Sequence, residues 1–117
     1  MQIETQFKGD VLIARPQDTR LDAAVAVQFK DAMRDLTRDA PGRIVLDMGR
    51  VEFLDSSGLG AIVGAMKVLA PDHRLEIADL TPAVAKVFKL TRMDSFFVIH
   101  ENVDSISLPV EEVSHAG

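Results

Sequence analysis

Apolar residues fall along this chain in short runs whose spacing changes again and again. Ile3, Thr5 and Phe7 alternate with polar neighbours, the period of a half-buried strand. Lys8-Gly9-Asp10 reads as a turn and Val11 to Arg15 as a second strand, which predicts an opening antiparallel hairpin ended by Pro16. Val25, Phe29, Ala32, Met33 and Leu36 then recur at helical spacing, predicting a helix from about Ala23 to Arg38 with Asp22 as its N-cap. Pro41-Gly42 breaks the chain. Ile44 to Met48 is an almost continuous apolar run, suited to a strand covered on both faces.

Val51 to Leu54 is a shorter apolar patch that runs into Asp55-Ser56-Ser57. Leu59, Ile62, Val63, Met66 and Leu69 mark one face of a following helix, from about Ser57 to Leu69, before Pro71-Asp72. Leu75 to Ala78 alternates as a strand. Thr81-Pro82 opens a short helix faced by Val84, Val87 and Phe88. Phe96 to Ile99 is read as a last strand. Asn102 is placed to cap a final helix carrying Val103 and Ile106, which Pro109 either ends or restarts, with residues 109–117 as a tail. The order β-β-α-β-α-β-α-β-α predicts a single α/β domain: a mixed sheet, opened by a hairpin and packed by about four helices.

Composition narrows the function. A length of 117 residues fits one domain, and 47% hydrophobic residues allow it a core. The net charge of −5 argues against nucleic acid or an anionic membrane as partner. With no cysteine, disulfides, thiolate catalysis and cysteine-based zinc sites are excluded. The N-terminus has neither a basic nor an apolar leader region, and no apolar run approaches the ~20 residues of a membrane span, so a cytoplasmic location is expected.

Enzyme motifs fail on spacing. Ser56 and Ser57 are preceded two residues earlier by Leu54 and Asp55, so neither fits Gly-x-Ser-x-Gly. No phosphate-binding Gly-x-x-x-x-Gly-Lys-Ser/Thr occurs. His73, His100 and His115 lack metal-ligand spacing and are expected as exposed loop or tail residues. Gly58-Leu59-Gly60 opens a helix as a dinucleotide fingerprint would, with Asp79 at the right remove, but Val63 holds the third glycine position. Neither enzymatic activity nor a cofactor is expected.

Asp55, Ser56 and Ser57 are the residue types that cap helices, and a helix N-terminus favours anions. Gly58, Gly60 and Gly64 weaken a helix, so they imply either close packing on the sheet or the approach of a partner to exposed backbone.

Phe53-Leu54-Asp55-Ser56-Ser57-Gly58-Leu59-Gly60, following the strand Ile44 to Met48, resembles the signature of bacterial anti-sigma-factor antagonists, which are single STAS domains. Arg20-Leu21-Asp22-Ala23-Ala24 resembles the family's Leu-Asp motif, and Leu80 to Met93 its later strand-to-helix segment. The similarity covers roughly residues 3–108. It implies that Ser56 is a regulatory phosphorylation site and that Asp22, Asp55, Ser57, Gly58 and Leu59 face a partner. The implied partner is a GHKL-type serine kinase that is also an anti-sigma factor, with a PP2C-type phosphatase reversing the modification and the antagonist itself expected as a monomer. A STAS subunit of a signalling scaffold or lipid-transport complex is the alternative. Two positions depart from the family pattern. Arg92 stands where many members carry a small residue, often glycine, and Asp18-Thr19 replaces a glycine before the Leu-Asp motif.

Overall fold

The computed structural model describes residues 1–106, so the expected tail and the role of Pro109 lie outside it. The opening hairpin is present: β1 (Ile3–Lys8) pairs antiparallel with β2 (Val11–Pro16), in register from Ile3 opposite Pro16 to Lys8 opposite Val11. β4 (Arg43–Asp47), β6 (Arg74–Ala78) and β7 (Ile99–His100) extend the sheet in parallel, in the order β1-β2-β4-β6-β7. The connections carry α1 (Ala26–Leu36), α2 (Ser56–Leu69) and α3 (Pro82–Leu90). The fold is that of a mixed α/β sheet with three α-helices among the described residues, against about four expected.

Strand alternation divides the sheet between two surroundings. Leu12, Ala14, Ile44, Leu46, Leu75 and Ile77 share one buried cluster with Phe29 and Met33 of α1, Ile62 and Leu69 of α2, and Val84 and Phe88 of α3. Val11, Ile13, Val45 and Ala78 have the other parity and cluster with Ile106. β4 is therefore buried on both faces, as its almost continuous apolar run predicts.

Charged residues share that second parity. The Glu76 carboxylate is fully buried and accepts from Arg43 Nε at 2.7 Å and Nη2 at 2.9 Å. Arg74 Nε lies 3.2 Å from it, and His100 Nε2 lies 2.6 Å from Oε1. Burial opposes the charge on Glu76, but the bonds from Arg43 and His100 outweigh it and hold the carboxyl below its usual range. His100 is thus a half-buried partner of Glu76, not an exposed loop residue. His73 is half-buried too, with Nε2 3.3 Å from the Ala40 carbonyl, and His115 falls outside the described residues.

Several boundaries differ from expectation. Asp22 does not cap α1. Its Oδ1 accepts from the Ala24 amide at 3.1 Å and its carbonyl from Val25, forming a turn, and Val25 takes the N-cap position. The Phe96–Ile99 strand shrinks to β7, because a 3-10 turn at Met93–Ser95 precedes it and Phe97 turns inward to pack 6.1 Å from Phe88. The helix expected after Asn102 is a single 3-10 turn, Val103–Ser105, with Asn102 Oδ1 accepting from the Ser105 amide. Two short strands were not anticipated: β3 (Arg20–Leu21) and β5 (Phe53–Leu54) form a separate parallel pair.

Candidate functional site

The β3–β5 pair sets up the site. Arg20 lies opposite Phe53 and Leu21 opposite Leu54, so Asp22 and Asp55 are the next residues of two parallel strands. Both strands carry the pattern x-Leu-Asp. Leu21 and Leu54 are buried and anchor them to the core, whereas Arg20 and Phe53 remain exposed.

Asp55 is the N-cap of α2. It has extended backbone angles, and its Oδ1 accepts from the Gly58 amide at 2.9 Å. The side chain thereby satisfies one of the four amides that a helix start leaves without an internal partner. Ser56 and Ser57 are the first two helical residues, and both are exposed. A group carried by Ser56 therefore stands at the positive end of the helix dipole, in water.

Gly58 faces inward. A Cβ there would overlap the Leu21 carbonyl oxygen and lie 2.8 Å from Leu54 Cδ1. The backbone approach that a dinucleotide's pyrophosphate would need is filled by β3. Gly60 points the other way, with nothing within 4 Å of a Cβ built on it. It borders a groove of about 330 Å³ between α1 and α2, lined by Ala26, Val27, Lys30, Ser57, Gly60 and Ala61. Close packing therefore accounts for Gly58, while Gly60 lies on an open face of the same helix. The small residues Gly58, Ala61 and Ala65 lie inward with Ile62 and Leu69, while Leu59, Val63 and Met66, expected on the apolar stripe, are only half-buried.

The structure brings Asp22, Asp55, Ser56, Ser57 and Gly58 together around one turn, with Leu59 half-buried behind it. Sequence reading missed two side chains there. The Arg20 guanidinium lies 4.0 Å over the Phe53 ring, and its Nε donates to Asp22 Oδ2 at 3.2 Å. The repeated x-Leu-Asp was the available signal, since two identical short patterns in paired strands place their first residues side by side. Among the described residues no cluster of His, Asp or Glu is suited to a metal, and no helix is long and apolar enough to cross a membrane.

Comparison with known proteins gives the same frame. The STAS domain family model matches residues 2–106. The anti-sigma F factor antagonist of Paenibacillus polymyxa is 28% identical over 118 residues, covering 97% of this chain and 98% of that protein. A protein from Thermotoga maritima assigned as an anti-sigma factor antagonist superposes with a TM-score of 0.79 at 25% identity, covering 96% of this chain and 94% of that one. The anti-sigma factor antagonist SpoIIAA in its unphosphorylated form superposes at 0.65 with 20% identity, covering 98% and 96%. Its phosphorylated form, from Bacillus, superposes at 0.58 with 19% identity, covering 99% and 100%. With the family model spanning nearly all of the described residues, and the paired x-Leu-Asp strands leading into the Asp55 turn, this chain belongs to the STAS domain family.

Proposed function

We propose that this protein is an anti-sigma-factor antagonist that works by partner switching and is not itself an enzyme. In the unphosphorylated state it binds an anti-sigma factor that is also a GHKL-type serine kinase. Phosphorylation of Ser56 by that kinase breaks the complex, and a PP2C-type phosphatase restores the binding form. The observation that carries this reading is the exposure of Ser56 at the first position of α2, directly after the Asp55 cap and beside the Asp22 turn.

The energetics agree with a switch at the surface. A phosphate adds about −1.5 to −2 charges at neutral pH. At a helix N-terminus the dipole and the free amides tolerate it, so the domain keeps its fold. In a desolvated interface an unmatched charge costs ~2–5 kcal/mol, and each ~1.4 kcal/mol is tenfold in affinity. Asp22, Asp55 and Ser57, with the half-buried Leu59, form the surface we assign to the partner; Gly58, expected there too, is buried beneath it against Leu21, and Gly60 leaves clearance.

Incubation with a cognate GHKL-type kinase and ATP is expected to add one phosphate, on Ser56, with none on Ser56→Ala. Stoichiometric phosphate on any other residue would overturn the assignment. Pull-downs with wild type and Ser56→Asp are expected to recover the kinase with the former only.

A further inference from the structure

We infer that Arg20 is the intramolecular counter-cation for a phosphate on Ser56, and that it engages the phosphate by leaving Asp22. This rests on Ser56 being the modified residue, as proposed above, but not on the identity of the kinase.

The placement of Arg20 is specific. β3–β5 pairing puts it across from Phe53, three residues before Ser56. Its guanidinium stacks 4.0 Å over the Phe53 ring, while the Nε bond to Asp22 draws the head group toward the end of the strand pair where Asp22 and Asp55 sit. The side chain keeps 59% of its surface in water, so it moves at little cost in packing. Contact with the ring leaves the remaining guanidinium N–H groups available to bond. Among the described residues Asp22 is its hydrogen-bond partner, through Nε alone at 3.2 Å.

A phosphate competes well for such a group. It offers three acceptor oxygens and up to two charges against the single charge of Asp22, and arginine pairs with phosphate through two parallel N–H bonds. Lys30, which lines the neighbouring groove with Ser57, is placed differently. It lies along the groove with Nζ 3.7 Å from a Cβ position at residue 64, two turns into α2, so it covers the helix body and not its start.

One modification then changes two positions. Arg20 leaves Asp22 for the phosphate, and the Asp22 carboxylate becomes uncompensated on the surface assigned to the partner. The net charge of the three groups is the same whichever acid Arg20 pairs with; what the exchange changes is its distribution, which now includes a bare carboxylate at Asp22.

Phosphoserine installed at position 56 by genetic encoding tests this without any kinase. The phosphorus NMR signal, followed against pH, gives the second ionisation of the phosphate. In the otherwise wild-type protein its midpoint is expected at least about half a pH unit below that in Arg20→Gln, because a nearby cation favours the dianion. Arg20→Lys should fall between them, and Lys30→Gln should match wild type. Equal midpoints in wild type and Arg20→Gln would overturn the inference, as would an equal or larger change in Lys30→Gln. Should Arg20→Gln fail to fold, the Arg20 Nε–H resonance of the wild-type chain decides: it is expected to move on phosphorylation, and an unmoved resonance counts against the proposal. If a kinase modifies some other residue while these midpoints differ as expected, the kinase reading fails and the Arg20 assignment stands.

Discussion

The carbonyl oxygen of Leu21 occupies the space that a side chain on residue 58 would need, so β3 is seated directly on the first turn of α2. Gly58 is therefore required by the fold, whereas Gly60, two residues on and on the opposite face of the helix, meets nothing within 4 Å. Gly58→Ala is expected to destabilise the domain by about 3 kcal/mol, the upper end of the cost of overpacking, because backbone has to move. Gly60→Ala is expected to stabilise it by ~0.5–1 kcal/mol through helix propensity alone. Urea unfolding of both variants checks the pair. If Gly60 gives clearance to a partner, Gly60→Ala should also weaken the partner complex while the isolated domain becomes more stable.

Ser56→Asp should leave the thermal transition nearly unchanged, since an acid at a helix start is tolerated. It should weaken binding to the kinase partner at least about tenfold, the equivalent of ~1.4 kcal/mol. Asp55→Ala should behave in the opposite sense for stability, costing about 1 kcal/mol through loss of the cap onto the Gly58 amide. Calorimetry on the two free variants, with binding titrations beside it, separates the roles. A large stability loss in Ser56→Asp would make the serine structural instead of regulatory.

Glu76 links stability to pH. Its carboxyl is lowered in the folded protein, against the opposing effect of burial, by hydrogen bonds from Arg43 and His100 and by the charges of Arg43 and Arg74. A lowered carboxylate contributes stability above its unfolded value, and that contribution is lost as pH falls through the folded-state value. Glu76→Gln is expected to cost about 2–3 kcal/mol at pH 7, somewhat under the ~3–5 kcal/mol of a fully buried broken pair, because Arg43 and Arg74 keep contact with water. The difference between variant and wild type should shrink in acid, below the ordinary glutamate range. Denaturant midpoints measured from neutral to acid pH would show it.

Arg92 follows α3 in the left-handed region, at φ 61°. This is the conformation that glycine adopts freely after a helix. Arg92→Gly is expected to raise stability by about 1 kcal/mol, since the left-handed conformation costs other residues ~1–2 kcal/mol and glycine returns part of that as chain entropy. Thermal unfolding of the single variant is a sufficient check.

Local patterns made much of this protein legible. The hairpin follows from alternation and the Lys8-Gly9-Asp10 turn, the doubly buried β4 from an almost continuous apolar run, and the start of α2 from an acid followed by two hydroxyls. The turn holding Ser56 was found the same way, because capping is decided within four residues.

What was misread depends on residues distant in sequence. Asp22 has the chemistry of an N-cap, but pairing of β3 with β5 and the bond from Arg20 turn it into a separate turn. Phe96 to Ile99 has the composition of a strand, but Phe97 is turned inward against Phe88 and the strand is confined to Ile99–His100. His100 reads as a loop residue until β7 aligns beside β6 and brings it to Glu76. Propensity and periodicity act over a few residues, so the chain alone marks its longer strands, its three α-helices and the capped turn. Which glycine serves the core and which faces outward, and that Arg20 lies across from Phe53, follow from the tertiary fold, because both depend on a strand pair joining residues more than thirty positions apart.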